Sequence, residues 1–183
     1  WDTISALGDA HTKAQNFLTA GEFGNALALM RVFGDEVILK YEEIEEECQL
    51  ADFLESWSED LTEAVMGTEL SNDEQNKLLE QLHEWDNMLN SYGLDDLLNS
   101  AIRICEQGIT ADSDTPLSPE LIEAQLNVLQ QRGDIEQYLQ MCLTHDAHYR
   151  YAACLIELNR TEEAMNHALQ QSMSAQEHLW LAQ

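Results

Sequence analysis

The chain has 183 residues, and its 35 Asp and Glu residues far outnumber its 8 Lys and Arg residues, which gives a formal net charge of −27. This imbalance argues against direct binding of DNA or RNA, because proteins that bind nucleic acid neutralise phosphates with basic patches. The hydrophobic fraction of 44% is typical of a folded domain and argues against a chain that is disordered throughout.

The cysteine distribution and the hydropathy pattern favour a cytoplasmic protein that does not enter a membrane. No apolar run approaches the ~20 residues that a membrane helix needs. The four cysteines lie far apart, each within an apolar or helical pattern, which is typical of buried reduced thiols and not of a disulfide framework. They are Cys48, Cys105, Cys142 and Cys154.

Helical periodicity begins near the first residue, and no stretch alternates as a strand would. The pattern predicts a helix over 2–19, a turn at Gly21 and a second helix that ends at Phe33. Gly34-Asp35 is interpreted as the end of this helix followed by the start of the next one.

A longer helical pattern follows. Between Val37 and Val65 apolar and small residues fall three or four positions apart, which predicts one long helix or two helices nearly end to end, terminated at Gly67. Ser71 and Glu74 have the spacing of a capping box that opens the next helix, and a further helix is predicted over 95–107.

The stretch from Tyr41 through Asn76 is rich in carboxylates and contains no Lys or Arg. Like charges three and four positions apart destabilise a helix by a few tenths of a kcal/mol each, unless packing or a partner offsets them. A solvated outer face is the favoured interpretation, followed by a docking surface for a basic protein partner and then by a metal site. The residues assigned to a possible acidic docking face are Glu42, Glu43, Glu46, Glu55, Glu59, Asp60 and Glu63.

The clearest break in the pattern lies at 110–118, where short polar residues surround Pro116. It predicts a helical region over 1–109 with one or two long acidic helices, a linker or long loop over 110–118, and helical hairpins over 119–183. Ser118 has the character of an N-cap that precedes a helix-starting proline. Helices are predicted at about 119–131, 134–144, 146–158 and 161–172. Ser174 and Glu177 form a last capping box, so the helical pattern is expected to continue past residue 183.

Three turns share a local form, centred on Gly21, Gly133 and Asn159. In each, an apolar helix ends at a small or polar residue, and an apolar residue lies five positions later. This pattern resembles the tetratricopeptide repeat. The best-matching positions are Ala152, Leu155 and Ala164, followed by Ala14, Phe17 and Ala26.

The resemblance implies an all-α fold of antiparallel hairpins, stacked as a short right-handed α-solenoid. The chain departs from the family in three ways: Gly133 and Asn159 lie closer together than the ~34-residue repeat, Gln171 occupies the later small position, and no closing proline follows.

A second resemblance rests on residues 132–139 and 152–164, with the segments 52–61 and 92–96. These segments resemble the helical region that accompanies SWIM zinc-finger domains in bacterial proteins. The zinc motif of that family, a Cys-x-Cys pair followed by a Cys-x-His pair, does not occur in this sequence. The resemblance therefore transfers neither zinc nor DNA binding, and it implies that a metal domain belongs to another part of the parent protein.

Two groups of residues have metal-ligand chemistry but unsuitable spacing. Cys142, His145, His148 and Cys154 suit zinc by type, yet turn histidines and helix-core cysteines are the favoured interpretation. The segment 112–114 begins like a calcium loop but lacks the required glycine, which favours a solvated linker. We therefore predict no metal site.

The motifs of common enzyme classes do not occur in the sequence. It contains no glycine-rich phosphate loop, no His-Glu-x-x-His helix and no nucleophile elbow. Trp57, Trp85 and Trp180 stand at helical spacing among apolar residues and are interpreted as core residues. We predict no catalytic residue and no cofactor.

These observations favour a noncatalytic helical-repeat scaffold. Its partner is expected to be a protein with a basic surface or another domain of the parent chain. The alternative is an acidic nucleic-acid mimic that occupies the basic cleft of a DNA-binding protein. An enzyme ranks third, and the oligomeric state stays open.

Overall fold

The computed structural model describes residues 3–38, 41, 47–108 and 117–171. These residues are helical as predicted, and no strand occurs in those ranges. None of the helices in them is long and apolar enough to span a membrane. The nine helices of the described ranges are α1 (Thr3–Thr19), α2 (Phe23–Ile38), α3 (Glu47–Gly67), α4 (Asn72–Ser91), α5 (Asn99–Gln107), α6 (Pro119–Arg132), α7 (Ile135–Thr144), α8 (His148–Glu157) and α9 (Thr161–Gln170).

The chain divides into two compact units, Trp1–Gln131 and Arg132–Gln183. The first contains α1 to α5 and α6 up to Gln131, and the second contains α7, α8 and α9. Residues 109–116 and 172–183 lie outside the described part, so the predicted linker is described only at its end and the capping box at Ser174 is not described. The division into 1–109, 110–118 and 119–183 stays a prediction.

The core of the first unit is built around two tryptophans. Trp57 of α3 and Trp85 of α4 are each 1% exposed, and their ring centroids lie 5.6 Å apart. Helix α2 packs against α1, α3 and α4, while α5 packs against α3 and α4. The interpretation of these two tryptophans as core residues is confirmed, and Trp180 lies outside the described residues.

Gly34 does not end the second helix, so the predicted stop at Gly34-Asp35 is wrong. Helix α2 continues through both residues. A Cβ atom on Gly34 would lie 2.7 Å from the ring of Trp85 and 3.0 Å from that of Trp57. The glycine is present because the two rings pack against the helix backbone at this point.

The helical pattern from Val37 to Val65 belongs to more than one helix. Val37 is a buried residue of α2, whereas the later part of the pattern, up to Val65, lies on α3. Helix α3 ends at Gly67, as predicted, and Phe23 of α2 packs directly against the Gly67 backbone.

One turn geometry recurs at four helix ends. Gly21, Gly93, Asp146 and Asn159 all have positive φ, between 56° and 79°. In each case the N–H of the next residue donates to the carbonyl five residues before it, at 2.8 to 3.0 Å, as in a Schellman C-cap. The predicted turns at Gly21 and Asn159 are confirmed. The bonds run from Glu22 to Phe17, from Leu94 to Leu89, from Ala147 to Cys142 and from Arg160 to Leu155.

The predicted capping box at the start of α4 is confirmed. The backbone N–H of Ser71 donates to Glu74 Oε2 at 2.9 Å, and the Glu74 N–H donates to Ser71 Oγ at 3.4 Å. The Ser71 hydroxyl also donates to Glu74 Oε2, at 2.5 Å, and this bond, followed by the one from the Ser71 backbone N–H, holds the pKa of Glu74 below its usual value. The carboxylate therefore stays charged at the positive end of the helix.

The second unit has a small core where α8 packs against α9. Ala152, Leu155 and Ala164 are 0%, 1% and 2% exposed and form one cluster. Helix α7 packs against α8. Leu139, Tyr151 and Ile156 pack around the cluster.

Candidate functional site

The residues of the predicted acidic docking face have different environments. Glu55 and Glu59 of α3 are exposed, whereas Asp60 is half-buried and Glu63 is buried. Glu42, Glu43 and Glu46 lie outside the described residues. Helix α3 therefore presents some carboxylates to solvent and directs others toward neighbouring helices.

Asp60 connects α3 to α1. Its Oδ2 lies 2.7 Å from His11 Nε2 and accepts a hydrogen bond from Gln15 Nε2 at 2.9 Å. The His11 side chain is only 10% exposed, so most of this contact is shielded from water. These bonds hold the Asp60 carboxylate in one orientation.

Glu63 connects α3 to α6. Asn127 Nδ2 donates to Glu63 Oε2 at 2.7 Å, and Glu63 is 9% exposed. A buried carboxylate costs free energy unless hydrogen bonds replace its lost hydration. The Asn127 amide provides such a bond.

Between α3 and α6 lies a groove of about 380 Å³ that contains five carboxylates. A neighbouring depression of about 390 Å³ extends it toward α1 and shares Asp60, Glu63 and Asn127 with it. We call the two together the acidic groove. Its walls are formed by Gln15, Leu18, Thr19, Glu59, Asp60, Glu63, Pro119, Glu120, Glu123, Ala124, Asn127 and Gln131.

The acidic groove has no Lys or Arg among its described wall residues. Glu59, Glu120 and Glu123 are exposed on its two sides. A hydrogen bond with its own backbone N–H, and a second with the Ser118 side chain, hold the pKa of Glu120 below its usual value. Glu120 is therefore ionised at neutral pH and contributes to a field that attracts cations.

The α6 side of this groove was not predicted from the sequence. Glu120 and Glu123 stand three positions apart on one helix face, but the stretch around them is not unusually acidic. They face the α3 carboxylates only because α6 packs into the same core, where Leu121, Ala124 and Val128 are buried. The one feature of the local sequence that pointed to this side of the groove was the predicted start of a helix at Ser118. In the structure, Ser118 Oγ accepts a hydrogen bond from the Leu121 N–H at 3.4 Å.

The positions that match the tetratricopeptide pattern lie at two helix contacts. Ala14 and Ala26 are 1% and 0% exposed, and with the half-buried Phe17 they lie in the core of the first unit, where α1 packs against α2. The second set, Ala152, Leu155 and Ala164, forms the α8–α9 cluster. Their role as stacking positions of a repeat stays a prediction.

The described residues contain no group of three or more His, Cys, Asp or Glu side chains that could hold a metal ion. Cys142 and Cys154 are buried at 0% and 7% exposure, and burial raises the pKa of Cys154. His145 follows the last residue of α7, and His148 begins α8. The 112–114 segment lies outside the described part, and the absence of a bound metal stays an expectation.

Comparisons of the chain with protein-family models, with curated proteins and with solved structures found no match.

Proposed function

We propose that this chain is a noncatalytic helical scaffold whose acidic groove binds a basic segment of a partner protein, or of another domain of its parent chain. The observation that carries the proposal is the composition of the groove, which has five carboxylates and no Lys or Arg among its described wall residues. A Lys- or Arg-containing segment is the chemistry that complements such a surface.

The carboxylates of the groove have two roles in this proposal. Asp60 and Glu63 are held by neighbouring side chains, so they shape the floor and maintain its negative potential. Glu59, Glu120 and Glu123 are exposed, so a basic segment in the groove would contact their carboxylates. Each exposed pair contributes about 0 to 1 kcal/mol, so useful affinity requires several of them together with apolar contacts.

The scaffold part of the proposal rests on the helix connections. Helices α1 and α2 pack together across the turn at Gly21, and α8 and α9 pack together across the turn at Asn159, with the same C-cap geometry. Short turns between packed helices are the units from which helical solenoids are built. The stacking of such units as a short right-handed tetratricopeptide-like solenoid is part of the proposal.

One observation favours the alternative of a nucleic-acid mimic. The exposed carboxylates stand on both sides of the groove, with Glu59 on α3 and with Glu120 and Glu123 on α6. Carboxylates in two facing rows can occupy a basic cleft in place of phosphates. Both functions require a basic partner, and they differ in whether DNA competes for it.

The first experiment tests the groove itself. We expect the triple substitution Glu59→Lys, Glu120→Lys and Glu123→Lys to weaken binding of a fluorescent Lys- and Arg-rich peptide by tenfold or more, because three attractive charges become repulsive. The matched control is Glu80→Lys, Glu84→Lys and Asp95→Lys, which changes the net charge equally at exposed positions outside the groove. An equal loss in the two variants would contradict a specific groove.

The second experiment separates the two functions. A partner recovered from lysate of the source cells at low salt is challenged with duplex DNA at constant ionic strength. A scaffold retains the partner through contacts that DNA cannot replace, whereas a mimic is displaced in proportion to DNA concentration, because both compete for one cleft. Displacement by DNA would place the mimic first.

A further inference from the structure

Two histidines meet where α8 packs against α9. His148 begins α8, and His167 lies in the last turn of α9. Their ring centroids are 5.1 Å apart, with an interplanar angle of 62°. The ring of Tyr151, one turn after His148, lies 4.5 Å from that of His167. We call the two histidines the histidine pair.

Each imidazole of the histidine pair has a buried nitrogen without a hydrogen-bond partner. These atoms are His148 Nδ1 and His167 Nε2. A neutral imidazole has one nitrogen with a lone pair, which can be left without a donor at modest cost, whereas an imidazolium requires acceptors for both N–H groups. The geometry therefore favours the neutral form of His167.

The charged groups around the histidine pair do little to stabilise an imidazolium. Asp146 Oδ1 lies 3.6 Å from His148 Nε2, but the Asp146 side chain is 88% exposed and its charge is screened by water. Glu163, one turn before His167, pairs with Arg160 at 2.6 Å. Helix α7 packs against α8, and burial raises the pKa of Tyr138 on α7, so this phenol stays neutral.

We propose that the histidine pair is an acid-sensitive switch that keeps α8 and α9 together at neutral pH and releases their contact as the pH falls through the ordinary range of histidine titration. This switch is independent of the acidic groove and of the function proposed for it. Its trigger is protonation of His167, whose buried Nε2 has no hydrogen-bond partner and whose ring centroid lies 5.1 Å from that of His148.

The direction of the pH effect follows from proton linkage. Burial, and secondly the neighbouring His148, lower the pKa of His167. We call α8 and α9 in contact the closed form and α8 and α9 separated the open form. When the pH is above about 6.5, the pKa of histidine in an unfolded chain, His167 is neutral in both forms and the histidine pair does not destabilise the closed form. As the pH falls below that value the open form takes up a proton that the closed form resists, so the closed form loses stability.

Opening would expose a small buried cluster at the α8–α9 contact. That cluster has only three buried residues, Ala152, Leu155 and Ala164, with the partly buried Leu139, Tyr151 and Ile156 around it, so the apolar area that opposes separation is limited. A modest electrostatic penalty can therefore shift the equilibrium.

The test is amide hydrogen exchange on the full chain at about pH 7.5 and about pH 5.5, corrected for intrinsic exchange rates, with α4 as an internal reference. We expect protection in α8 and α9 to fall at the lower pH by up to about tenfold for each unit of pKa difference, while α4 changes less. The double variant His148→Gln and His167→Gln should lose this selective effect, because Gln does not titrate. The control His83→Gln removes a half-exposed histidine of α4 and should retain it.

Equal changes of protection in α4 and in α8–α9 would overturn the proposal, and so would a selective loss that persists in the double variant. A second measurement does not depend on the variants. Titration of the histidine ring resonances in the unmodified chain should give His167 a pKa below the ordinary value of about 6.5, and a value at or above it would overturn the proposal.

Discussion

At the scale of single residues, the absence of a side chain at one glycine of α2 allows this helix to pack closely against the two tryptophans. Gly34 leaves room for the rings of Trp57 and Trp85, and the neighbouring Asp35 accepts the Trp85 Nε1–H at 3.0 Å. Gln81 Nε2 donates to the same Asp35 oxygen at 2.8 Å. The aromatic contact and the polar contact therefore fix α2 against α4 at the same point.

We expect Gly34→Ala to lower the free energy of unfolding by about 1 to 3 kcal/mol, because the added methyl group overlaps two buried rings. Gly24→Ala in the same helix is the matched control. No atom lies within 4 Å of a Cβ there, so the free energy of unfolding should stay unchanged or rise by up to about 1 kcal/mol. Urea denaturation followed by tryptophan fluorescence measures both variants, and equal effects of the two substitutions would contradict the packing explanation.

At the scale of helices and turns, the chain uses one C-cap geometry in several sequence contexts. A glycine occupies the left-handed position at Gly21 and Gly93, but Asp146 and Asn159 adopt it with a Cβ atom present. A left-handed conformation costs most residues about 1 to 2 kcal/mol and costs Asn and Asp less. The turn before α9 therefore retains some strain that glycine would remove.

We expect Asn159→Gly to raise the free energy of unfolding by about 0.5 kcal/mol and Asn159→Ala to lower it by about 1 kcal/mol, because only the first substitution relieves the positive φ. Asn166→Gly is the control, since it places the same residue within the exposed face of α9 and should destabilise by a few tenths of a kcal/mol. Hydrogen exchange of α8 and α9 amides reports both effects. A loss of protection in Asn159→Gly would contradict the assigned turn geometry.

Local features of the fold could be predicted from the sequence, whereas features that depend on tertiary packing could not. The capping box at Ser71 and the turns at Gly21 and Asn159 depend on residues that are neighbours in the chain, and they were predicted correctly. From its neighbours in the sequence, Gly34 is expected to end a helix. In the structure, glycine is required at this position because the rings of two residues distant in the sequence pack against it.

The same distinction applies to the candidate site. The carboxylates of α3 were identified from their density, and Glu59, Asp60 and Glu63 do line the acidic groove. Glu120 and Glu123 were not identified, because only the packing of α6 brings them opposite the carboxylates of α3. No periodic pattern in the sequence indicates this packing. The burial of Glu63 likewise depends on Asn127, a residue of another helix.

At the scale of the whole molecule, most negative charges cannot be balanced within the chain, because the 35 acidic residues outnumber the 8 basic residues more than fourfold. The local ion pairs Lys77–Asp73 and Arg160–Glu163 are largely exposed and contribute little stability. Repulsion among the remaining carboxylates opposes compaction of the folded chain.

We therefore expect the melting temperature to rise by several degrees between about 0.02 and about 0.3 M sodium chloride, because added ions shorten the Debye length from roughly 20 Å to below 8 Å and screen the repulsion. Circular dichroism at the helix minimum measures the transition. Sucrose at matched osmolality is the control for effects of the solute that do not involve charge. The double variant Glu55→Gln and Glu59→Gln removes two exposed negative charges, and its melting temperature should be higher at low salt and should rise less with added salt. A melting temperature that stays flat or falls as salt is added would mean that the carboxylates are already neutralised, by ordered ion pairs or by bound cations.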